Sequence, residues 1–246
     1  WNGGIGTYVK AATESNVEVG DKANDAVRVN GRDLRCRVVG EGGNLGLTQA
    51  GRIEAARSGV QLNTDAIDNS AGVDCSDHEV NIKVLLDTVV ADGDLTTKQR
   101  NELLGAMTDD VSDHVLLDNY LQNQVLGYAR AQAPALLPVH QRMMHSLEER
   151  GILDRQLEVL PSDHEIGELI ADGKGLSSPE LCVLLSYAKI ALTTDLSTSG
   201  LAQEKWFDSV LRGYFPPQIV EAYEPWLEKH PLRSQIISTL VANDMV

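Results

Sequence analysis

The chain has 246 residues, 42% of them hydrophobic and 4% aromatic, with a formal net charge of -15. That hydrophobic share builds a largely aliphatic core and excludes a disordered chain. No Lys/Arg cluster supplies the basic face that nucleic acid requires, and no run approaches the ~18 apolar residues of a membrane span. Cys36, Cys75 and Cys182 are far apart and form no CxxC pair. They suggest neither a disulfide framework nor a zinc cluster and favour a reducing, cytoplasmic setting. No signal peptide is present. The chain opens on Trp1 rather than methionine, which points to a fragment.

In chain order, Trp1–Tyr8 reads Trp-Asn-Gly-Gly-Ile-Gly-Thr-Tyr. Its glycines permit close backbone approach, and the stretch reads as the tail of a strand. Residues 11–33 are polar and turn-rich, with one short helix near Lys22–Val27. Arg35–Val39 is a short strand that runs into Gly40-Glu41-Gly42-Gly43-Asn44-Leu45-Gly46-Leu47-Thr48. Thr48 caps a helix over Gln49–Ser58, which Gly59 stops. Val60–Leu62 is a second brief strand, and Asn63–Gly72 is turn-rich. This order predicts an α/β remnant, the second half of a doubly wound, Rossmann-like domain.

Beyond residue 73 the strand signal stops. Ile82, Leu85, Leu86 and Val89 recur at helical spacing until Gly93-Asp94. Helices follow near 96–107 and 111–132, the second with a core stripe of Leu117, Leu121, Val125 and Tyr128. Pro134 and Pro138 interrupt, and Val139, Met143 and Leu147 resume a helix that Gly151 ends. Ser162 begins a short helix closed by Gly173 and Gly175. Ser177 and Glu180 have capping-box spacing, with Pro179 in the first turn. Leu181, Leu184, Leu185, Ala188 and Leu192 make the apolar face of that helix. Pro216-Pro217 opens another over Ile219, Val220, Tyr223 and Leu227; Ile236, Ile237, Leu240 and Val241 mark the last. The chain thus divides into residues 1–80, the end of a nucleotide-binding domain, and 81–246, a helical region.

Two stretches carry candidate chemistry. Gly40–Thr48 lies where a strand ends, the place where open α/β sheets bind ligands. Its glycines expose main chain, and Asn44 offers both a donor and an acceptor, which suits an amide such as nicotinamide. A glycine turn that merely reverses the chain fits equally well. The second stretch, Asp68–Asp77, enters a helix whose first N–H groups attract an anion such as a carboxylate, with Ser76 one turn further in. Simple capping by Asp68, Asn69 or Ser70, with Ser76 an ordinary surface serine, explains it as well. The six histidines are scattered, and none has a metal-like partner at i+4 with a further ligand. All six read as structural or surface residues. Lys83 and Lys189 lie on apolar-striped helices, where a snorkelling side chain is the default. Asp109-Asp110 reads as a cap or solvated pair. There is no nucleophile elbow, P-loop or GxGxxG turn.

Several blocks resemble the large bacterial NAD-specific glutamate dehydrogenases. They are Trp1–Ala11, Val19–Ala26, Gly40–Gln49, Asp65–Asp74, Ser76–Lys83, Gly173–Leu176 with Ser178–Leu181, and His230–Arg233 with Ala242–Met245. The resemblance covers essentially the whole chain. It implies oxidative deamination of L-glutamate to 2-oxoglutarate and ammonia, with hydride passing to NAD. It also carries roles over. Gly40–Asn44 matches an Ala-Glu-Gly-Ala-Asn turn of the smaller glutamate dehydrogenases, so Asn44 and its neighbours Gly42 and Gly43 would contact the cofactor. Gly3 and Gly4 match the small-residue strand end beneath the nicotinamide ribose, and Asn69 matches a cofactor-contacting asparagine. Ala71, Gly72, Val73 and Ser76 match the residues that hold the substrate carboxylate, of which Gly72, Val73 and Ser76 are the expected contacts. Gly46-Leu47-Thr48 departs from the Pro-Thr-Thr of the small enzymes, and Asp74 and Cys75 also differ.

By the same resemblance the catalytic lysine and aspartate and the dinucleotide turn lie upstream of Trp1. No catalytic residue or metal ligand is therefore assigned, and the fragment alone is expected to be inactive. The full-length protein is expected to be a homo-oligomer. A non-catalytic helical interaction or oligomerisation module with a degenerate nucleotide-binding cap is the alternative. A different amino-acid dehydrogenase sharing this half is a third reading.

Overall fold

The computed structural model describes all residues, Trp1–Val246. It is mainly helical, with two short parallel strands, β1 (Val9–Lys10) and β2 (Val29–Asn30). The helices are α1 (Asn16–Val19), α2 (Gln49–Arg57), α3 (Asp65–Asp68), α4 (Ser70–Ala91), α5 (Thr97–Ala106), α6 (Thr108–Ala131) and α7 (Ala133–Glu149). They continue with α8 (Asp163–Ala171), α9 (Ser178–Ser199), α10 (Asp208–Tyr214), α11 (Pro217–Leu227) and α12 (Arg233–Met245). The chain forms two compact units, each assembled from separate stretches: 1–70 with 121–187, and 71–120 with 188–246.

In the first unit parallel pairing recurs outside the named strands, at Asn2 with Glu41, Val9 with Leu47, and Val38 with Gln61. Val9 therefore has a parallel neighbour on each side, Val29 and Leu47. Val9, Leu47, Ala55, Val60 and Leu62 form the buried cluster beneath. Each such valine or leucine contributes about 1.5–3 kcal/mol by leaving water. The expected strands Arg35–Val39 and Val60–Leu62 shrink to one bridge, closed by Val39 N to Gln61 O and Gln61 N to Arg37 O, both 2.9 Å. Cys36 and Val38 are exposed, and only Val39 packs against the cluster, so one residue of this segment is anchored.

Helix ends follow local chemistry. Thr48 Oγ1 accepts from Gly51 N at 2.9 Å and starts α2. Ser162 and Glu165 close a reciprocal capping box on α8. Ser177 N and Oγ both donate to Glu180 at the start of α9, at 2.6 and 2.5 Å. Gly59, Gly93, Gly151 and Gly173 take positive φ just beyond α2, α4, α7 and α8.

Two further expectations fail. Pro138 sits inside α7 rather than ending it. Pro134 occupies the first turn, where no N–H is needed, and one missing bond at Pro138 is tolerated in a 17-residue helix. On α6 the expected stripe is outward: Leu117, Leu121 and Tyr128 are 55%, 44% and 61% exposed. Val111, Val115 and Leu126 are the buried residues instead. Helical spacing identifies a stripe but does not choose which neighbouring stripe is covered.

The second unit has its own core. Ile82, Leu85, Leu86 and Val89 of α4 cluster with Met107, Val111, Val115, Leu211, Phe215, Ile219, Leu227, Ile236 and Ile237. Here the helical spacing locates the buried face of α4 correctly. No helix is long and apolar enough to cross a membrane.

Candidate functional site

The two glycine stretches at the start of the chain meet through bare main chain. Asn2 N donates to Gly40 O at 2.9 Å, and Asn2 O accepts from Gly42 N and Gly43 N at 2.8 and 2.9 Å. A Cβ on Gly43 would fall 2.6 Å from Gly4 O, so glycine is required by backbone approaching backbone. A Cβ on Gly42 would overlap the Trp1 indole, which lies against Gly40 and Gly42 while remaining 88% exposed. Bare main chain at these positions thus accepts the face of a flat ring.

Asn44 stands at the crest of this loop, exposed to solvent. Its Oδ1 accepts from Asn69 Nδ2 at 3.0 Å. The structure therefore brings Gly3, Gly4, Gly42, Gly43, Asn44 and Asn69 into one region of the first unit. Their side-chain amides retain free donor and acceptor capacity in the Asn44 Nδ2 and Asn69 Oδ1 chemistry.

What holds the crest in place is a set of carboxylates. Glu41, fully buried, forms a two-pronged pair with Arg52: Nε to Oε1 is 2.7 Å and Nη2 to Oε2 is 3.0 Å. Glu41 Oε2 also accepts from Leu47 N at 3.3 Å. Arg52 Nη2 reaches Asp65 Oδ1 at 3.1 Å. Asp68 Oδ2 accepts from Glu41 N at 2.9 Å, and Asp65 Oδ2 accepts from Leu45 N at 2.7 Å. Burial raises the Glu41 carboxyl above its ordinary range, opposed by Arg52. The two carboxylates hold Arg52 above its own ordinary value against its burial.

Leu45 follows Asn44 with φ of 59°, left-handed for a branched residue. Such a conformation costs on the order of 1–2 kcal/mol and persists only where surroundings enforce it. Asp65 grips its N–H, and Thr7 Oγ1 donates to its carbonyl at 2.7 Å. Strain of this kind concentrates at functional loops.

The expected substrate contacts lie on α4. Gly72 and Val73 occupy its first turn, where N–H groups lack a carbonyl partner within the helix. Val73 is 66% exposed. Ser76 Oγ, also exposed, donates to Val73 O at 2.8 Å, the resting arrangement of a helical serine.

Sequence reasoning missed Glu41, Arg52, Asp65 and Asp68 as the scaffold of the crest. It also passed over His78. That side chain is 2% exposed and lies four residues after Asp74 on α4, so a carboxylate does stand one helical turn away, on the N-terminal side. His230, equally read as structural, is buried, with Nε2 against Asn81 O at 3.0 Å and Nδ1 accepting from Leu232 N at 3.1 Å. Lys83 is exposed and pairs with Glu79 at 3.1 Å. Asp110, in the first turn of α6, accepts from Gln218 at 2.9 Å.

Family models match most of the chain. Residues 1–129 match the family model described as bacterial NAD-glutamate dehydrogenase, catalytic domain, and residues 173–246 match glutamate dehydrogenase, C-terminal. The chain is 54% identical over 246 residues to an NAD-specific glutamate dehydrogenase of Halomonas elongata. It is 51% identical over 246 residues to one of Pseudomonas aeruginosa and 49% identical over 247 residues to one of Mycobacterium tuberculosis. Each alignment covers 100% of this chain and 15% of the relative.

Proposed function

From the premise that this chain belongs to the bacterial NAD-glutamate dehydrogenase family, we propose that it supplies part of the cofactor and substrate sites of such an enzyme. The reaction is oxidative deamination of L-glutamate to 2-oxoglutarate and ammonia. NAD accepts the hydride. The carrying observation is the meeting of Asn44 and Asn69 above the glycine crossing, with 3.0 Å between Oδ1 and Nδ2.

In this reading Asn44 and Asn69 orient the carboxamide of the nicotinamide, which presents one donor group and one acceptor, as they do. Gly43 lets the Gly4 main chain approach and Gly42 bares the main chain on which the Trp1 indole rests, the place a flat nicotinamide face would take, with Gly3 and Gly4 beside it. The fit is supported by the indole that already lies on Gly40 and Gly42. Gly72 and Val73 offer N–H groups, and Ser76 a hydroxyl, to a substrate carboxylate. The role of this chain is binding: it contacts cofactor and substrate and leaves proton transfer to residues outside it. Residues 1–80 are the C-terminal part of a Rossmann-like domain, which the recurring parallel pairings favour. Residues 81–246 are the helical C-terminal region. The enzyme works in the cytoplasm as a homo-oligomer; three free thiols, one exposed, suit a reducing compartment.

Asn44→Ala in the full-length enzyme tests this. KM for NAD should rise, or kcat fall, by about tenfold, near the 1–1.5 kcal/mol of one or two neutral hydrogen bonds. Unchanged kinetics would remove Asn44 from the site. Residues 1–246 alone should yield no glutamate-dependent NADH, and turnover would place the acid and base within this chain.

A further inference from the structure

Away from the glycine loop, the second unit holds a polar cluster that the dehydrogenase reading does not use. Asp74 and His78 share one face of α4, and Asp118 approaches from α6. His78 Nε2 lies 3.8 Å from Asp74 Oδ1 and 3.9 Å from Asp118 Oδ2. Both distances exceed hydrogen-bond reach, so the imidazole points between two carboxylates without bonding either. Its side chain is 3% exposed. Asp74 Oδ2 is buried with no hydrogen-bond partner, as is the other ring nitrogen of His78, Nδ1. Orphans of this kind are rare and call for a reason.

We propose that Asp74, His78 and Asp118 form a binding site for a divalent transition-metal cation, zinc or manganese. The three ligand atoms lie within 4.8 Å of one another. With two edges at 3.8 and 3.9 Å and the third no longer than 4.8 Å, a point in their plane equidistant from all three stands about 2.0–2.5 Å from each. A few tenths of an ångström of side-chain adjustment then reaches the ~2.0–2.2 Å of zinc with nitrogen and oxygen ligands. One imidazole and two carboxylates suit first-row divalent cations, and three protein ligands leave a position open to water. The ring is already fixed: it stacks on Tyr214 at 4.3 Å between centroids and meets His114 edge-on at 5.5 Å. Asp118 is 46% exposed and gives the ion an entry path.

Two features moderate the affinity. Lys189 feels both aspartates and brings its own positive charge to the cluster. His78 Nδ1 lacks the outer hydrogen bond that strengthens metal-bound imidazoles. Asp74 is raised above the ordinary carboxylate range, by burial first and the Asp118 charge second.

The site stands independently of the dehydrogenase assignment, and its test reads metal rather than turnover. Full-length enzyme, stripped with a chelator and dialysed, is titrated with Mn(II) and followed by loss of the free-ion EPR signal. Zn(II) is then added as competitor. The parent should bind one more Mn(II) per chain than Asp118→Asn, and Zn(II) should displace it. Asp118→Asn and Asp74→Asn should each weaken that site by about tenfold or more. Asp118 is half exposed, so its variant keeps the fold even if Asp74→Asn does not. Identical Mn(II) isotherms for parent and Asp118→Asn would overturn the proposal and leave Lys189 as the cluster's own counter-ion.

Discussion

Replacing Arg52 by methionine tests the scaffold beneath the glycine crest. Methionine preserves much of the aliphatic bulk but removes the guanidinium. Glu41, with no exposed surface, would retain the Leu47 N–H at 3.3 Å as its remaining side-chain contact. Stranding one member of a buried ion pair costs about 3–5 kcal/mol. Glu41→Gln should cost less, about 1–3 kcal/mol, because Arg52 still reaches Asp65 at 3.1 Å. Amide hydrogen exchange reads this locally without requiring two-state unfolding. At 1.36 kcal/mol per decade, 3–5 kcal/mol accelerates exchange of the Leu47 amide by roughly 150- to 5,000-fold. The double variant should be less damaged than the sum of the singles, by roughly 0.5–3 kcal/mol. A Leu47 amide exchanging at the parent rate in Arg52→Met would refute the reasoning. So would strict additivity of the two substitutions.

Four further outcomes are expected. His230 is depressed below the ordinary imidazole range, chiefly by burial. Its folded form is neutral, so stability is full above the unfolded value of ~6.5 and falls as pH drops below it; unfolding free energies at pH 5 and 7 should differ less in His230→Asn. Burial pushes the Cys182 thiol up to about 11, so a thiol-reactive dye at pH 8 should label exposed Cys36 and spare Cys182 until the chain unfolds. Gly127 lies within α6 with nothing within 4 Å of a built Cβ. Gly127→Ala should raise stability by about 0.4–1 kcal/mol. Gly43→Ala should lower it by about 1–3 kcal/mol, because Gly4 O is 2.6 Å away. Thermal melts of the two variants would settle both signs.

Much of this was legible where chemistry is local. Thr48, Ser162, Ser177 and the C-terminal glycines act within one helical turn, and the structure uses them as the sequence implies. The glycine crossing was half legible: bare backbone announces close approach but does not name the partner, here Asn2 and Gly4. Glu41 and Arg52 were invisible, since eleven residues of separation say nothing about a buried pair. The α6 stripe misled because Leu117, Leu121 and Tyr128 have the same period as the residues actually covered. The Asp74–His78 spacing was in plain view but ran backwards from the histidine.

The discontinuous make-up of each unit bears on how the chain is born. The core of the second unit joins Ile82–Val115 to Ala202–Ile237. During synthesis Leu85, Leu86 and Val89 can meet Met107–Val115 early, but the face that Ala202–Ile237 covers stays open until that later stretch leaves the ribosome. At ~5–20 residues per second that interval is several seconds or longer. Nascent chains of this kind are where chaperone contact has most to protect.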